Sequence, residues 1–312
     1  KIAQNCFADC SNLSKISFSK IDKISIGSEA FNGCVNLNNF MINEASLIIL
    51  DEECFVGANN LYSLTLISDL IIFSNSRIRS FSLTDISIQT KQNISIDSKT
   101  FENCTSLEQL SISSSSKISV LKNAFANNSY LKEVNFECDS FSIQKESFVS
   151  CSSFNSFSLK AKTEIVIHEN VFVGCSKLNN FVVDSSSSLF IYNKFAKSSI
   201  KTVCLSAKSI TIDNSCFNNC SKLIDFKLNA LDNIVLGSDQ FSCCNSLNRI
   251  SIDFGKAPDS QIKFGSNCFS DAKMLNEIYL SAINVKIFNY TLDGIKNIEF
   301  SSANNKNIFS DL

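Results

Sequence analysis

A repeat constrains this chain more than any other feature. Between Ile24 and Ile42 the sequence reads Ile24-x-Ile26-Gly27-x-x-Ala30-Phe31-x-x-Cys34-x-x-Leu37-x-x-Phe40-x-Ile42, and this arrangement returns about every twenty-four residues along the whole chain. A fixed period of that size specifies a stacked array, because one such unit cannot bury its own apolar face and must lay it on a neighbour. Packing only on neighbours also lifts the usual ceiling on a single core, which tends to divide above roughly 250 to 300 residues. Residues 1–312 are therefore expected to form one solenoid of about thirteen units.

With the recurrent Phe as position 0, the ladder runs Phe7, Phe31, Phe55, Phe101, Phe125, Phe148, Phe172, Phe217, Phe241 and Phe269. Position 3 is Cys10, Cys34, Cys104, Cys151, Cys175, Cys220 and Cys244, position 6 is mostly Leu, and apolar doublets follow at 9 and 11 and at 17 and 19. An apolar-x-apolar doublet has the period of a strand. The Phe-x-x-Cys step has the spacing that puts two side chains on one face of a short helical turn. Each repeat is thus expected to run strand, turn, strand, helical turn, giving a mainly-β solenoid.

The frame slips in places. Ile78, Phe81 and Leu83 are read as positions 6, 9 and 11 of the fourth unit, with its turn reduced to residues 74–77 and a surplus over 85–93. That compression predicts a change of curvature. Phe195 stands one residue out of frame, and about four extra residues around 255–260, including the only proline, Pro258, predict a protruding loop. The chain opens and closes in mid-repeat without an initiator Met, as expected of a segment of a longer protein.

Composition narrows the classes. Apolar residues at 44% and charged residues at 19% suffice for a core and argue against disorder. The net charge of −2, from 28 basic and 30 acidic residues without a basic stripe, argues against a nucleic-acid partner. No apolar run reaches the ~18 residues of a membrane span.

The fourteen cysteines invite disulfide or zinc readings. The seven at position 3 are read first as small core residues, while stacked neighbours such as Cys10 with Cys34, Cys151 with Cys175 and Cys220 with Cys244 have a spacing compatible with disulfides. The pairs Cys6 with Cys10 and Cys216 with Cys220, and the adjacent Cys243 and Cys244, lack the arrangement of a structural zinc site. Position −1 is simply small, and no metal or cofactor is expected. The one histidine, His168, follows Ile165-x-Ile167 and should face solvent. No G-x-S-x-G, H-E-x-x-H, P-loop or EF-hand occurs, so no catalytic residue is assigned. Glycosylation sequons stand at Asn12, Asn93, Asn103, Asn127, Asn219 and Asn289.

If positions 9 and 11 point inward, position 10 must point out. That row is Ser17, Met41, Thr65, Ser82, Ser111, Asn135, Ser158, Val182, Cys204, Lys227, Ser251, Tyr279 and Glu299, and position 8 beside it includes Ser80, Asp225, Arg249 and Glu277. Its C-terminal third, with Asp225, Lys227, Arg249, Glu277 and Tyr279, carries the charge and an aromatic, and Tyr and Arg are the residue types enriched among binding hot spots. These five form the candidate binding face.

The segment Ile26-Gly27-Ser28-Glu29-Ala30-Phe31-Asn32-Gly33-Cys34-Val35-Asn36-Leu37 resembles the leucine-rich repeats of the BspA type, as do Phe172-Val173-Gly174-Cys175-Ser176-Lys177-Leu178 and Phe217-Asn218-Asn219-Cys220-Ser221-Lys222-Leu223. The family's frequent Pro after the first strand is replaced by Lys20, Glu44, Ser114 or Ala161. The resemblance implies a right-handed leucine-rich-repeat superhelix. Its Ser-, Asn-, Ile- and Lys-rich copies look like those of parasitic protists such as trichomonads. It further implies a surface or secreted protein acting in adhesion and host-protein binding. The expected function is therefore non-enzymatic binding of a protein or glycan, with an intracellular interaction scaffold as the alternative.

Overall fold

The computed structural model describes residues 1–281 except 75, 76, 79, 98, 99, 102, 103, 197, 256, 258 and 259, together with the backbone of the strands Val285–Phe288 and Asn297–Ser301. Pro258 and the sequons at Asn103 and Asn289 lie outside the described residues. The chain forms two compact units, Lys1–Ser156 with Asn170–Cys175, and Phe157–Glu169 with Ser176–Leu312.

In the first unit the strands Lys15–Ile26, Asn39–Leu50, Ser63–Phe73, Asp85–Thr90, Gln109–Ser114 and Glu133–Cys138 lie side by side in chain order, all parallel. A second, short parallel sheet holds Ile94–Ile96, Lys117–Val120 and Ser140–Ile143. Both doublets of the earliest repeats share one long strand, which turns its corner at Lys20 and Glu44, with φ of 55° and 60°. In the second unit the long sheet runs Ser156–Ala161, Asn180–Ser185, Thr202–Ala207, Asp225–Ala230, Arg249–Asp253, Glu277–Ser281 and Asn297–Ser301. The sheet across the core from it runs Ile165–Ile167, Ser188–Ile191, Ser209–Ile212, Asn233–Leu236, Ser260–Phe264 and Val285–Phe288. Each unit is therefore a parallel β-solenoid, and the mainly-β repeat architecture expected from the period is present.

The doublets do what their alternation requires. Along Glu133–Cys138 every second residue is buried, and Val134 and Phe136 enter the core while Asn135 stays out. Stacking parallel strands ~4.8 Å apart also stacks whatever side chain recurs once per repeat, and here that is the Phe ring. Phe125 lies 5.6 Å from Phe101 at 3° and 5.2 Å from Phe148 at 9° between ring planes. In the second unit Phe195 lies 4.9 Å from Phe217 at 8°, and Phe241 lies 5.7 Å from Phe269 at 10°.

Three expectations are corrected. No helix occurs among the described residues. The Phe-x-x-Cys-x-x-Leu segment is a chain of tight turns in which Cys34 N donates to Phe31 O at 3.1 Å and Leu37 N to Cys34 O at 3.0 Å. Left-handed residues at positions −2 and +2 keep these turns from propagating into a helix. In this repeat they are Glu29 at φ 53° and Gly33 at φ 72°, and in the sixth repeat Asn123 at 59° and Asn127 at 62°.

The second correction is the frame around Ile78. Ile78 N donates to Thr100 O at 2.8 Å, as Phe125 N donates to Ser147 O, so Ile78 itself fills the ladder position. Leu83 is then position 6, the strand is Asp85–Thr90 with Ile86 and Ile88 inward, and Phe81 is 65% exposed. There is no compressed turn followed by a surplus. The register Ser63↔Asp85 followed by Asp85↔Gln109 confines the missing residues to the corner after Leu66, where Ile67 stands opposite both Asn43 and Glu44, and to one shortened turn. Phe73 stands edge-on to Phe101 at 5.8 Å. Phe195 is likewise on the ladder rather than off it, and its turn is one residue short. The third correction is Cys10, which is exposed rather than in the core.

Candidate binding face

The thiols are the first chemistry to place. All fourteen cysteines are free, and Cys34, Cys104, Cys151, Cys175, Cys220 and Cys244 are buried at position 3. They are more than small hydrophobes. Each donates its S–H to the carbonyl of the ladder residue one repeat earlier: Cys34 to Phe7 at 3.0 Å, Cys104 to Ile78 at 3.0 Å, Cys151 to Phe125 at 3.2 Å and Cys244 to Phe217 at 3.0 Å. The carbonyl has a second lone pair that the turn leaves unused, and a thiol is a donor small enough to reach it. Where Asn128 replaces Cys, its Nδ2 makes the same bond to Phe101 O and another to Phe125 O, both at 2.9 Å.

Burial, the dominant cause, pushes Cys104 and Cys244 up to about 12, and Cys216 to about 12 against the pull of Lys194. Thiols held protonated are poor nucleophiles and poor metal ligands. Among the described residues no group of three or more His, Cys, Asp or Glu is disposed to hold a metal ion. His168 is exposed.

The outward row is where alternation put it, except in the fourth repeat. There Asp85 and Ser87, not Ser80 and Ser82, take positions 8 and 10 on the sheet. Ser80 is buried with its hydroxyl bonded to Leu61 O at 3.1 Å.

In the second unit Asp225, Arg249 and Glu277 are Cα partners across three strands, as are Lys227, Ser251 and Tyr279. The five candidate residues are thus brought together on one patch, with Lys227 and Arg249 exposed and Asp225, Glu277 and Tyr279 half-buried. The patch is largely self-neutralised. Lys227 Nζ lies 2.8 Å from Asp225 Oδ2, and Arg249 Nε lies 3.8 Å from Glu277 Oε2. The hydrogen bond that Lys227 donates to the Asp225 carboxylate raises the pKa of Lys227. The Arg249 guanidinium stands over the Tyr279 ring, 5.7 Å from its centroid, within cation–π range. The result is an aromatic and guanidinium pair with the Glu277 carboxylate beside the guanidinium.

One surface escaped the sequence reading. On the second unit's other sheet the outward residues Val166, Phe190, Thr211 and Val235 form a half-exposed, mostly apolar row. The signal was present in Ile165-Val166-Ile167, Leu189-Phe190-Ile191 and Ile234-Val235-Leu236, where the middle residue of the doublet is apolar too.

Parallel strands stacked on a recurrent Phe-x-x-Cys-x-x-Leu turn define a leucine-rich-repeat solenoid. The family model described as a BspA type leucine rich repeat region, six copies, matches residues 1–95, 72–193, 142–254 and 190–311, and the chain belongs to that family. Among solved structures, a leucine-rich repeat protein from Bacteroides ovatus is similar over 97% of this chain and 78% of its own, at 18% identity and a TM-score of 0.34, too low for its geometry to bear on this chain. No curated protein matches the sequence. Among the described residues no helix is long and apolar enough to cross a membrane.

Proposed function

We propose that this chain is a non-enzymatic binding segment that recognises another protein through the exposed face of its long sheet, in adhesion at a cell surface or after secretion. The observation that carries the reading is the pairing of Arg249 with Tyr279 on adjacent strands, ringed by Asp225, Lys227 and Glu277. Repeat proteins bind along such extended faces, and family membership supports a protein-interaction role.

The test is a binding isotherm against host-cell surface proteins. Truncating Arg249 and Tyr279 to Ala together should weaken binding by about 2 kcal/mol or more. Truncating Ser111 and Ser158 should change it little, because an exposed hydroxyl contributes little alone. Unchanged affinity in a normally melting double variant refutes this face and points to the row Val166, Phe190 and Val235.

The free thiols favour a second reading, an intracellular interaction scaffold, since exposed pairs of thiols persist in reducing compartments. Counting thiols on native protein separates the two: disulfides in material isolated from its natural source exclude the scaffold.

A further inference from the structure

Four strands of the second unit end in one polar row. Asp184 partners Ser206, Ser206 partners Asn229, and Asn229 partners Asp253 across the parallel register. The next residues, Ser185, Ala207 and Ala230, are small and buried. Those after them, Ser186, Lys208 and Leu231, stand out again. A small-residue floor between two standing rows leaves a trough of about 360 Å³, lined by these residues and by Gly255. That is within the size of small-ligand sites, roughly 300 to 1,000 Å³.

The walls have mixed chemistry. Asp253 Oδ1 accepts from Gly255 N at 2.8 Å, which orients its carboxylate. Asn229 Nδ2 donates to Ser206 Oγ at 3.0 Å, which orients the amide. Lys208 makes no ion pair among the described residues. Leu231 is 64% exposed and serves no core. Acceptors, groups that both donate and accept, one free cation and one aliphatic side chain thus line a single depression.

We propose that this trough binds an uncharged oligosaccharide laid across the strands. Sugar hydroxyls donate to Asp184 and Asp253 and accept from Lys208 and Asn229, while a ring C–H face packs on Leu231. Polar side chains repeat here at the ~4.8 Å strand spacing, comparable to the length of one pyranose unit in an extended chain, so successive sugars meet successive strands. Carboxylates at both ends disfavour a sulfated or carboxylated glycan. A peptide fits less well, because the trough crosses the strands and no peptide backbone can pair along it as an added strand. This site is separate from the Arg249 and Tyr279 face and does not depend on it.

The test is calorimetric titration of the whole chain with cellotetraose, mannotetraose and the N-acetylglucosamine tetramer, beside a heparin-derived tetrasaccharide and tetralysine. At least one uncharged tetrasaccharide should bind, and the heparin fragment should not. Asn229→Ala and Leu231→Ala, both at exposed positions, should each weaken binding by about tenfold, with melting curves unchanged. Arg249→Ala with Tyr279→Ala should leave sugar affinity intact. The proposal is overturned if none of the three uncharged sugars binds, if both trough variants bind as the parent does, or if tetralysine binds more tightly than any sugar.

Discussion

Replacing Phe125 by Ala tests the ladder at its most regular point. The ring is fully buried and stacked on both faces, 5.6 Å from Phe101 and 5.2 Å from Phe148. Truncating a buried Phe costs about 3 to 5 kcal/mol from lost transfer energy and the cavity left behind. Each stacked pair is worth about 0.5 to 1.5 kcal/mol beyond area, and two are lost at once, so the upper half of that range is expected. Backbone hydrogen bonding should survive, because Asn128 Nδ2 reaches the carbonyls of Phe101 and Phe125 rather than the ring. Equilibrium urea unfolding followed by circular dichroism measures the loss. The same experiment on Phe81→Ala supplies the contrast, since that ring is 65% exposed and surface changes usually stay within about 0.5 kcal/mol. If each repeat leans only on its neighbours, the broken interface should also lower the m-value by letting the array melt in pieces. A Phe125→Ala loss below about 1 kcal/mol, or equal losses at the two positions, would refute the claim that stacked rings hold the array together.

The buried thiols make stability sensitive to alkali. Cys104, Cys216 and Cys244 are raised from 9.0 to about 12 in the folded chain, so above pH 9 the unfolded chain gives up protons that the folded one keeps. Stability is then full below pH 9 and falls by about 1.4 kcal/mol per pH unit for each thiol up to about pH 12; melting temperatures that stay flat from pH 8 to 10.5 would contradict this. The left-handed turn residues should respond in opposite senses. Ser150→Gly relieves a φ of 61° and should stabilise by about 0.5 to 1 kcal/mol. Gly174→Ala, at φ 81° with its new Cβ 3.1 Å from Ser150 Cα, should destabilise, and thermal melts of the pair check both signs.

The sequence makes the strands, their inward and outward faces and the Phe ladder legible, because each rests on a period that a buried core enforces. Legibility failed where one substitution hid the frame. With Ile78 in place of Phe and its turn one residue short, Phe81 offered a false aromatic anchor, although only burial distinguishes the two. The turn is not legible because i, i+3 spacing is shared by a helix and a run of tight turns; the left-handed Glu29 and Ser150 carry no compositional warning, whereas Gly33 carries it openly. At the candidate face, alternation located Lys227 and Tyr279 but could not show that Lys227 is spoken for by Asp225 or that Arg249 lies over the ring. Nor could spacing reveal that position 3 prefers a thiol because a carbonyl needs a donor.

Neighbouring strands in the second unit keep matched partners although they are separated by 22 residues from Asn180 to Thr202, 23 from Thr202 to Asp225, 24 from Asp225 to Arg249 and 28 from Arg249 to Glu277. The array counts strands, not residues. Length changes are absorbed at corners, and the longest lies between Asp253 and Ser260 without disturbing Asn233↔Gln261 beyond it. A lineage of such proteins can therefore gain and lose short insertions at that corner while inheriting the same surface rows. The same corner is where an engineer could splice in a foreign epitope and expect the strands on either side to close ranks around it.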